Sequence, residues 1–271
     1  MTASRPPDRV VAALVCPVCG ADLGVDGGTL RCVHGHTFDI ARQGYVNLLS
    51  APAGSADTAA MVADRAAFLA DGHYAPLADL VADLALTRDG LVVEAGAGTG
   101  YYLGAVLALR PGTAGLALDV SVPALRRAAR SHDRLGAVVW DVWRPWPVRD
   151  DAADVVLDVF APRNGPEFHR VLKPTGLLVV VTPGEDHLAE LGASAGLLDI
   201  DPDKARRLAA TLSDGFEQVV AERLSYPMTL DATDVERVVG MGPAGHHDRP
   251  EASAPDREVT ASFVVSLYRP R

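Results

Sequence analysis

Residues 92–102 read Val-Val-Glu-Ala-Gly-Ala-Gly-Thr-Gly-Tyr-Tyr, and the reading of this stretch decides the fold. An apolar pair, an acid at Glu94 and glycines at 96, 98 and 100 describe a buried strand that turns sharply into a helix. Glycine is required where the backbone passes close to a ligand and no Cβ can be accommodated. The stretch therefore reads as a nucleotide-binding turn, the plain alternative being a glycine-rich turn with no ligand. Its spacing departs from the G-x-G-x-x-G of dinucleotide folds.

The next apolar run, 114–119, ends at Asp119, about 20 residues past the glycines, where a ribose-holding carboxylate belongs in such folds. Asp119 also suits the cap of the helix expected over 122–132, a place that Ser121 fills equally well. A third run, 137–140, ends at Asp141, which by position meets an adenine amine. Together, Glu94-x-Gly96-x-Gly98-Thr99-Gly100 with Asp119 resembles the first motifs of class I S-adenosylmethionine-dependent methyltransferases.

The chain has 271 residues, of which 48% are hydrophobic and 6% aromatic, enough to bury one large domain with a small one beside it. No run approaches the roughly 18 uncharged apolar residues of a membrane span. The apolar segment 10–15 follows two arginines but is broken at once by Cys16-Pro17, so it reads as a lead-in and not as a signal peptide. A cytoplasmic protein without membrane contact is expected. The net charge of −10 argues against a general coat for nucleic acid and leaves room for a local basic face.

All three cysteines lie within the first 32 residues: Cys16-Pro-Val-Cys19, twelve residues, then Cys32-Val-His-Gly-His36. An odd cysteine number with a C-x-x-C pair points to metal and not to disulfides. Cys16, Cys19, Cys32 and His36 make a Cys₃His set without an open position, the chemistry of a structural zinc. His34 competes for the fourth place, and a redox-active cysteine pair is the other reading. So short a segment has little core of its own, which couples its folding to the metal.

Between the knuckles and the glycine turn, 51–57 reads as a hinge of small residues, Pro and Gly. Segments 58–70 and 74–86 carry apolar residues at helical spacing. From 91 onward, strands at 91–95, 114–119, 137–140, 154–159 and 176–182 alternate with helices at 101–110, 122–132, 164–172 and 185–198. Such alternation specifies a parallel sheet covered on both faces. Late strands at 216–225 and 260–267 fit an antiparallel edge. The expected fold is α/β, a Rossmann-like, seven-stranded, mostly parallel sheet with a small N-terminal zinc-binding domain. Its divisions are a zinc head at 1–40, a helical connector at 41–86 that contributes to the cofactor site, and the methyltransferase domain at 87–271.

Several linked motifs follow one another in order: Cys16, Cys19, Cys32 and His36, then Asp39-Ile-Ala-Arg-Gln-Gly44-Tyr45-Val-Asn47, a helix near 61–69, Gly72-His73-Tyr74-x-Pro76-Leu77 and the glycine turn. This order, over the chain to about Met241, resembles the bacterial 23S rRNA (guanine-N1)-methyltransferases. Val159-Phe160-Ala161-Pro162-Arg163-Asn164 and Met241-Gly242-Pro243 are most similar to the tylosin-resistance branch. The resemblance implies methyl transfer from S-adenosylmethionine to guanine N1 in a 23S rRNA hairpin, resistance to tylosin-type macrolides, a structural zinc that grips RNA, and a homodimer. It also implies Tyr74 and His187 as cofactor contacts beside Glu94, Gly96, Gly98, Thr99, Gly100, Asp119 and Asp141. The strand ending at 159 leads into the expected catalytic loop, where Phe160 would stack on the base, Asn164 would pair with its edge and Asp158 would accept the N1 proton. Plainer roles are core packing for Phe160, a satisfied strand end for Asp158 and a helix cap or surface position for His187.

Arg126, Arg127, Arg130 and Arg134, and again Lys204, Arg206 and Arg207, form basic clusters that serve RNA or merely solvate a helix face. The zinc head adds Arg31, His34 and Arg42. Segment 240–258 reads as a loop or lid, with His246 and His247 a solvent-exposed turn. Two other readings fit these residues: a small-molecule methyltransferase of a biosynthetic pathway, and a non-catalytic zinc protein that binds RNA.

Overall fold

The computed structural model describes residues 5–51, 56–85, 89–192, 211–242 and 256–271. Five runs of apolar residues become the centre of one sheet: β5 (Leu91–Ala95), β6 (Ala114–Asp119), β7 (Leu135–Val139), β8 (Ala153–Val159) and β9 (Leu172–Pro183). They are parallel in the order β9-β8-β5-β6-β7. Strands buried on both faces read as continuous apolar runs, and β5 and β7 are buried along their whole length. Antiparallel β11 (Arg257–Pro270) follows β9, and β10 (Phe216–Leu230) closes that edge. Both late strands outrun their sequence expectation, because each pairs with the other along nearly its full length. At the opposite edge β4 (Tyr45–Asn47) adds an eighth strand, parallel to β7, beyond the seven expected.

Helices cover both faces. The helices α2 (Ala59–Ala70), α3 (Ala75–Leu84), α4 (Tyr101–Leu109) and α5 (Val122–Ala128) are placed by apolar spacing and caps. Thr58 accepts from the Met61 amide to start α2, and Ser121 accepts from the Ala124 amide to start α5. Ser121, and not Asp119, is thus the cap. Phe68, Leu77, Val81, Leu103 and Leu107 pack with Phe263 on one face of the sheet. On the other face α6 (Gly165–Val171) and α1 (Asp8–Ala13) bring Phe168, Val10 and Leu14 against Trp146 and Leu178.

The expectation of a helix over 185–198 fails within the described residues. Only a 3₁₀ turn, Ala189–Leu191, forms there, because Leu188 takes the left-handed conformation at φ 56° and the Glu190 carboxylate turns back to accept from Thr260. Residues 193–198 of that segment lie outside the described residues, as do 52–55 of the expected hinge. So do Lys204, Arg206, Arg207, His246 and His247. Asp57, at the end of the hinge, is held by Arg65 and by the Ser121 hydroxyl.

The metal knuckles sit on a three-stranded antiparallel sheet of β1 (Leu23–Asp26), β2 (Thr29–Cys32) and β3 (Thr37–Asp39). Its apolar residues Leu23 and Leu30 share one buried cluster with Leu14, Val46 and Val138, so the small sheet's core continues into the large one. Polar ties reinforce this: Arg149 pairs with Asp22 and donates to Ala12 O, and the Val15 amide donates to Pro147 O. Among the described residues, no helix is long and apolar enough to cross a membrane.

Gly136 lies under α1, where an added Cβ would meet Val10 Cγ1 at 2.8 Å. Gly136→Ala is expected to lower stability by about 1–3 kcal/mol through overpacking. Urea denaturation should show the double variant Gly136→Ala, Val10→Ala to be less destabilised than the two single losses added together. Strict additivity would mean that α1 does not pack there.

Candidate functional site

The carboxyl ends of β5, β6, β7 and β8 meet along one rim of the sheet, the edge where open parallel sheets bind ligands. The turn after β5 is left-handed at Gly96, Gly98 and Gly100, with φ of 61°, 53° and 74°. At Gly96 a side chain is excluded twice over: its φ disfavours one, and an added Cβ would lie 2.8 Å from Ala161 Cβ. This contact sets the loop after β8 directly on the turn after β5. At Gly100 the Ala128 and Leu135 side chains close the space in the same way.

Asp119 is aimed by the turn itself. Its two oxygens accept from the amides of Gly98, at 2.8 Å, and Ser121, at 2.7 Å. A carboxylate has about four lone-pair sites, so this anchoring leaves acceptor capacity on each oxygen for ribose hydroxyls. Burial raises its pKa, against the pull of the same two amides. Glu94 is fully enclosed, and burial, assisted by the Asp119 charge, lifts it to about 8, so it is largely protonated at neutral pH. Its Oε2 is a buried atom without a hydrogen-bond partner in the protein. Such an orphan is costly unless a ligand or water meets it. Thr99 is partly exposed in the turn. Asp141, one strand over, accepts from the Trp143 amide and lies 3.5 Å from Arg144 Nε.

An aromatic wall closes the other side. Tyr74 Oη lies 3.1 Å from His187 Nε2, while His187 Nδ1 accepts from the Ser262 amide. Burial lowers His187 to about 4, which keeps it neutral at neutral pH. Because Nδ1 accepts, the ring proton is on Nε2 and is donated to Tyr74, whose own hydroxyl proton is then free for another acceptor. Phe263 stands at the centre, with its ring centroid 5.0 Å from Tyr74, 4.7 Å from His187 and 5.7 Å from Phe160.

Phe160 takes a left-handed backbone, φ 56°, and keeps 44% of its surface exposed. For a bulky residue that conformation stores strain, which is held where function requires it. It is therefore not a core residue. Asp158 lies beneath it, wholly buried, accepting from the Ala161 amide at 3.2 Å, with Arg163 Nε 3.1 Å from Oδ2. Burial lifts its pKa to about 7, against the attraction of Arg163. Asn164 caps α6: Oδ1 accepts from the Glu167 amide and Nδ2 donates to Val142 O.

The metal set assembles as expected. Sγ of Cys16, Cys19 and Cys32 and a ring nitrogen of His36 lie within 4.8 Å of one another. The Cys19–Cys32 sulfur separation is 3.8 Å, and His36 Nδ1 lies 3.6 Å from Cys16 Sγ and 3.4 Å from Cys32 Sγ. Tetrahedral zinc, with Zn–S of about 2.3 Å and Zn–N of about 2.0 Å, requires edges of about 3.8 Å and about 3.5 Å. The atom whose place fits such a set is His36 Nδ1, and His34 is left exposed outside it. Burial works against ionisation of Cys32, yet the amides of His36 and His34 outweigh it and hold its thiol at about 6. A thiolate is what zinc binds.

Sequence reasoning did not find Phe263, Ser262 or Arg65. Arg65, on α2, pairs with Asp57, donates to Met241 O and lies against the glycine turn. It would have been legible only as a lone cation on an amphipathic helix, whereas Phe263 and Ser262 sit in an ordinary strand pattern. Arg134 leaves the expected basic face: it turns inward to the carbonyls of Leu107, Arg110 and Thr113 at a helix end and a turn.

Residues 14–53 match the family model described as "RlmA, N-terminal", a zinc ribbon. A relative from Streptomyces fradiae, 23S rRNA (guanine(748)-N(1))-methyltransferase, is 49% identical, the match covering 97% of this chain and 98% of the relative. A relative from Micromonospora griseorubida, also named as a 23S rRNA (guanine-N(1)-)-methyltransferase, is 46% identical over 95% of this chain and 97% of its own. Among solved structures, a complex of the Haloferax volcanii Trm112 methyltransferase activator and a methyltransferase matches with a TM-score of 0.55 at 19% identity. It covers 80% of this chain and 99% of its own, a likeness of fold.

Asp119→Ala is expected to weaken S-adenosylhomocysteine binding by about 1–3 kcal/mol, the cost of stranded ribose hydrogen bonds; unchanged affinity by calorimetry would remove Asp119 from the site. Cys19→Ser should take bound zinc, measured by atomic absorption, from one ion per chain to none. RNA affinity should then fall further than cofactor affinity.

Proposed function

Because the chain belongs to the 23S rRNA (guanine-N1)-methyltransferase family, we propose that it transfers a methyl group from S-adenosylmethionine to N1 of a guanosine in a 23S rRNA hairpin. The observation that carries this reading is the seating of residues 160–164 on the glycine turn, where Ala161 lies so close to Gly96 that an added Cβ would stand 2.8 Å from its own. It brings a base-sized aromatic ring, Phe160, beside the place where the donor's methyl group would lie.

Guanine N1 carries a proton at neutral pH, so an acceptor must take or share it before the nitrogen attacks in line. When bound, S-adenosylmethionine supplies a methyl group already activated by its sulfonium charge. The chain's part is to hold the two reactants in register, an advantage that reaches effective molarities of about 10⁵ M or more in favourable systems. In this reading Glu94, Thr99, Asp119, Asp141, Tyr74 and His187 hold the donor. Phe160 stacks on the guanine, and Asn164 offers the base edge its second amide proton and its remaining Oδ1 lone pair. Asp158, near 7 and so matched to neutral pH, takes the N1 proton. Because Arg163 covers its Oδ2, that transfer requires the Arg163 side chain to swing aside while the loop stays seated on the glycine turn.

RNA is engaged by shape and phosphate contact. The exposed zinc knuckles, with His34 and Arg42, and the outward Arg126, Arg127 and Arg130 of α5 and the turn after it serve this contact despite the net charge of −10. Two copies forming a homodimer would widen the cleft to the span of a folded hairpin. The site of action is the cytoplasm, and the consequence is resistance to tylosin-type macrolides.

The test is transfer of labelled methyl groups to unmodified 23S rRNA and to a low-molecular-weight extract, followed by primer extension, which stops at N1-methylguanosine. Label in the extract alone would overturn the reading. With RNA as substrate, kcat/KM is expected to rise with pH through about 7 as Asp158 ionises, and Asp158→Asn should remove that inflection. The same inflection in Asp158→Asn would assign the proton to another group.

A further inference from the structure

Three tryptophans occupy one short stretch, and they are treated differently by the fold. Trp140 and Trp146 are buried at 6% and 3% exposure, with Trp146 Nε1 donating to Val142 O and its ring packed on Phe168. Trp143 between them is 63% exposed. Leaving so large an apolar ring in water forgoes the free energy that its burial would give. The segment that presents it is tied by hydrogen bonds. The Asp141 carboxylate accepts from the Trp143 amide, the Arg144 amide donates to Asp141 O, and the Trp146 amide donates to Glu167.

That segment belongs to the rim of the site. It follows β7, beside Asp119, whose carbonyl accepts from the Trp140 amide. Asn164 Nδ2 donates to Val142 O at 2.8 Å, which stitches the Trp143 segment to the loop bearing Phe160. Two exposed aromatic rings therefore stand on two linked loops along one rim, and Arg144, 41% exposed at its side chain, stands next to Trp143. An exposed ring with an adjacent guanidinium is what an unstacked nucleobase and its phosphate select.

We propose that Trp143 is a stacking platform for a second nucleobase, one flanking the target guanosine in the RNA, with Arg144 on the neighbouring phosphate. This rests on the RNA methyltransferase reading above. The loops after β7 and β8 then act together, since one ring holds the base that reacts while the other holds its neighbour out of the hairpin stack.

The experiment uses the full zinc-loaded chain, S-adenosylmethionine and unmodified 23S rRNA. Trp143→Ala should raise KM for the RNA by roughly 10-fold or more, the usual range for loss of one base–aromatic stack, while kcat at saturating RNA and S-adenosylhomocysteine affinity stay near wild type. Trp143→Phe should restore most of the loss. RNA should also quench the tryptophan emission of the wild type, and far less that of Trp143→Phe, whose two remaining tryptophans are buried. Wild-type KM in Trp143→Ala overturns the proposal. So does a parallel loss of S-adenosylhomocysteine affinity, which would place the ring on adenine, or a change of sedimentation without a change in RNA affinity, which would place it between copies of the chain. If wild type transfers no methyl to the RNA, the functional reading falls together with this one; if it does and Trp143→Ala is indifferent, only this one falls.

Discussion

One steric fact organises the molecule: the backbone at Gly96 runs so close beneath Ala161 that a single methyl group could not be placed between them. Because the turn after β5 carries no side chain there, the loop after β8 settles onto it, and the rim becomes a narrow cleft instead of two separate loops. Phe160, at the start of that loop, takes a left-handed backbone. The strain is borne by the Ala161 amide on Asp158 and by the Asn164 cap on α6, which fix the loop at both of its ends.

Electrostatics follow from the enclosure. Removing water lifts Glu94 to about 8 and Asp158 to about 7, and lowers His187 to about 4. All three shifts disfavour charge, so Glu94 and His187 are largely neutral at neutral pH. A sulfonium donor carries a positive charge into this environment, where the Asp119 carboxyl, held by the Gly98 and Ser121 amides, faces the glycine turn. Arg65 is turned instead to Asp57 and Met241, tying the connector and the segment after β10 across the mouth of the cleft.

The zinc knuckles depend on the large sheet as much as on the metal. Leu14, Leu23, Leu30 and Val46 form one buried cluster with β7, and Arg149 clamps Asp22 and Ala12 from the far side of the chain. A ribbon this small has little core of its own. Its position relative to the cleft is thereby held.

Much of this was legible in the chain itself. Spacing alone pointed to a Cys₃His set with His34 and His36 competing for its fourth place, to the glycine turn with Asp119, and to the alternation of strand and helix, because each depends on local periodicity or on residue chemistry at short range. The family motifs pointed to Tyr74 and His187, which the fold brings together. What the tertiary structure decided is of another kind: that His36 and not His34 completes the metal set, that Ser121 caps α5 and frees Asp119, that Arg134 turns inward, that 185–192 fails to become a helix, and that Phe263 and Ser262 from the last strand complete the aromatic wall. The last three depend on partners from about 20 to 75 residues away along the chain, of which a residue's sequence neighbours carry no record, and the first two are choices between neighbours that spacing leaves open.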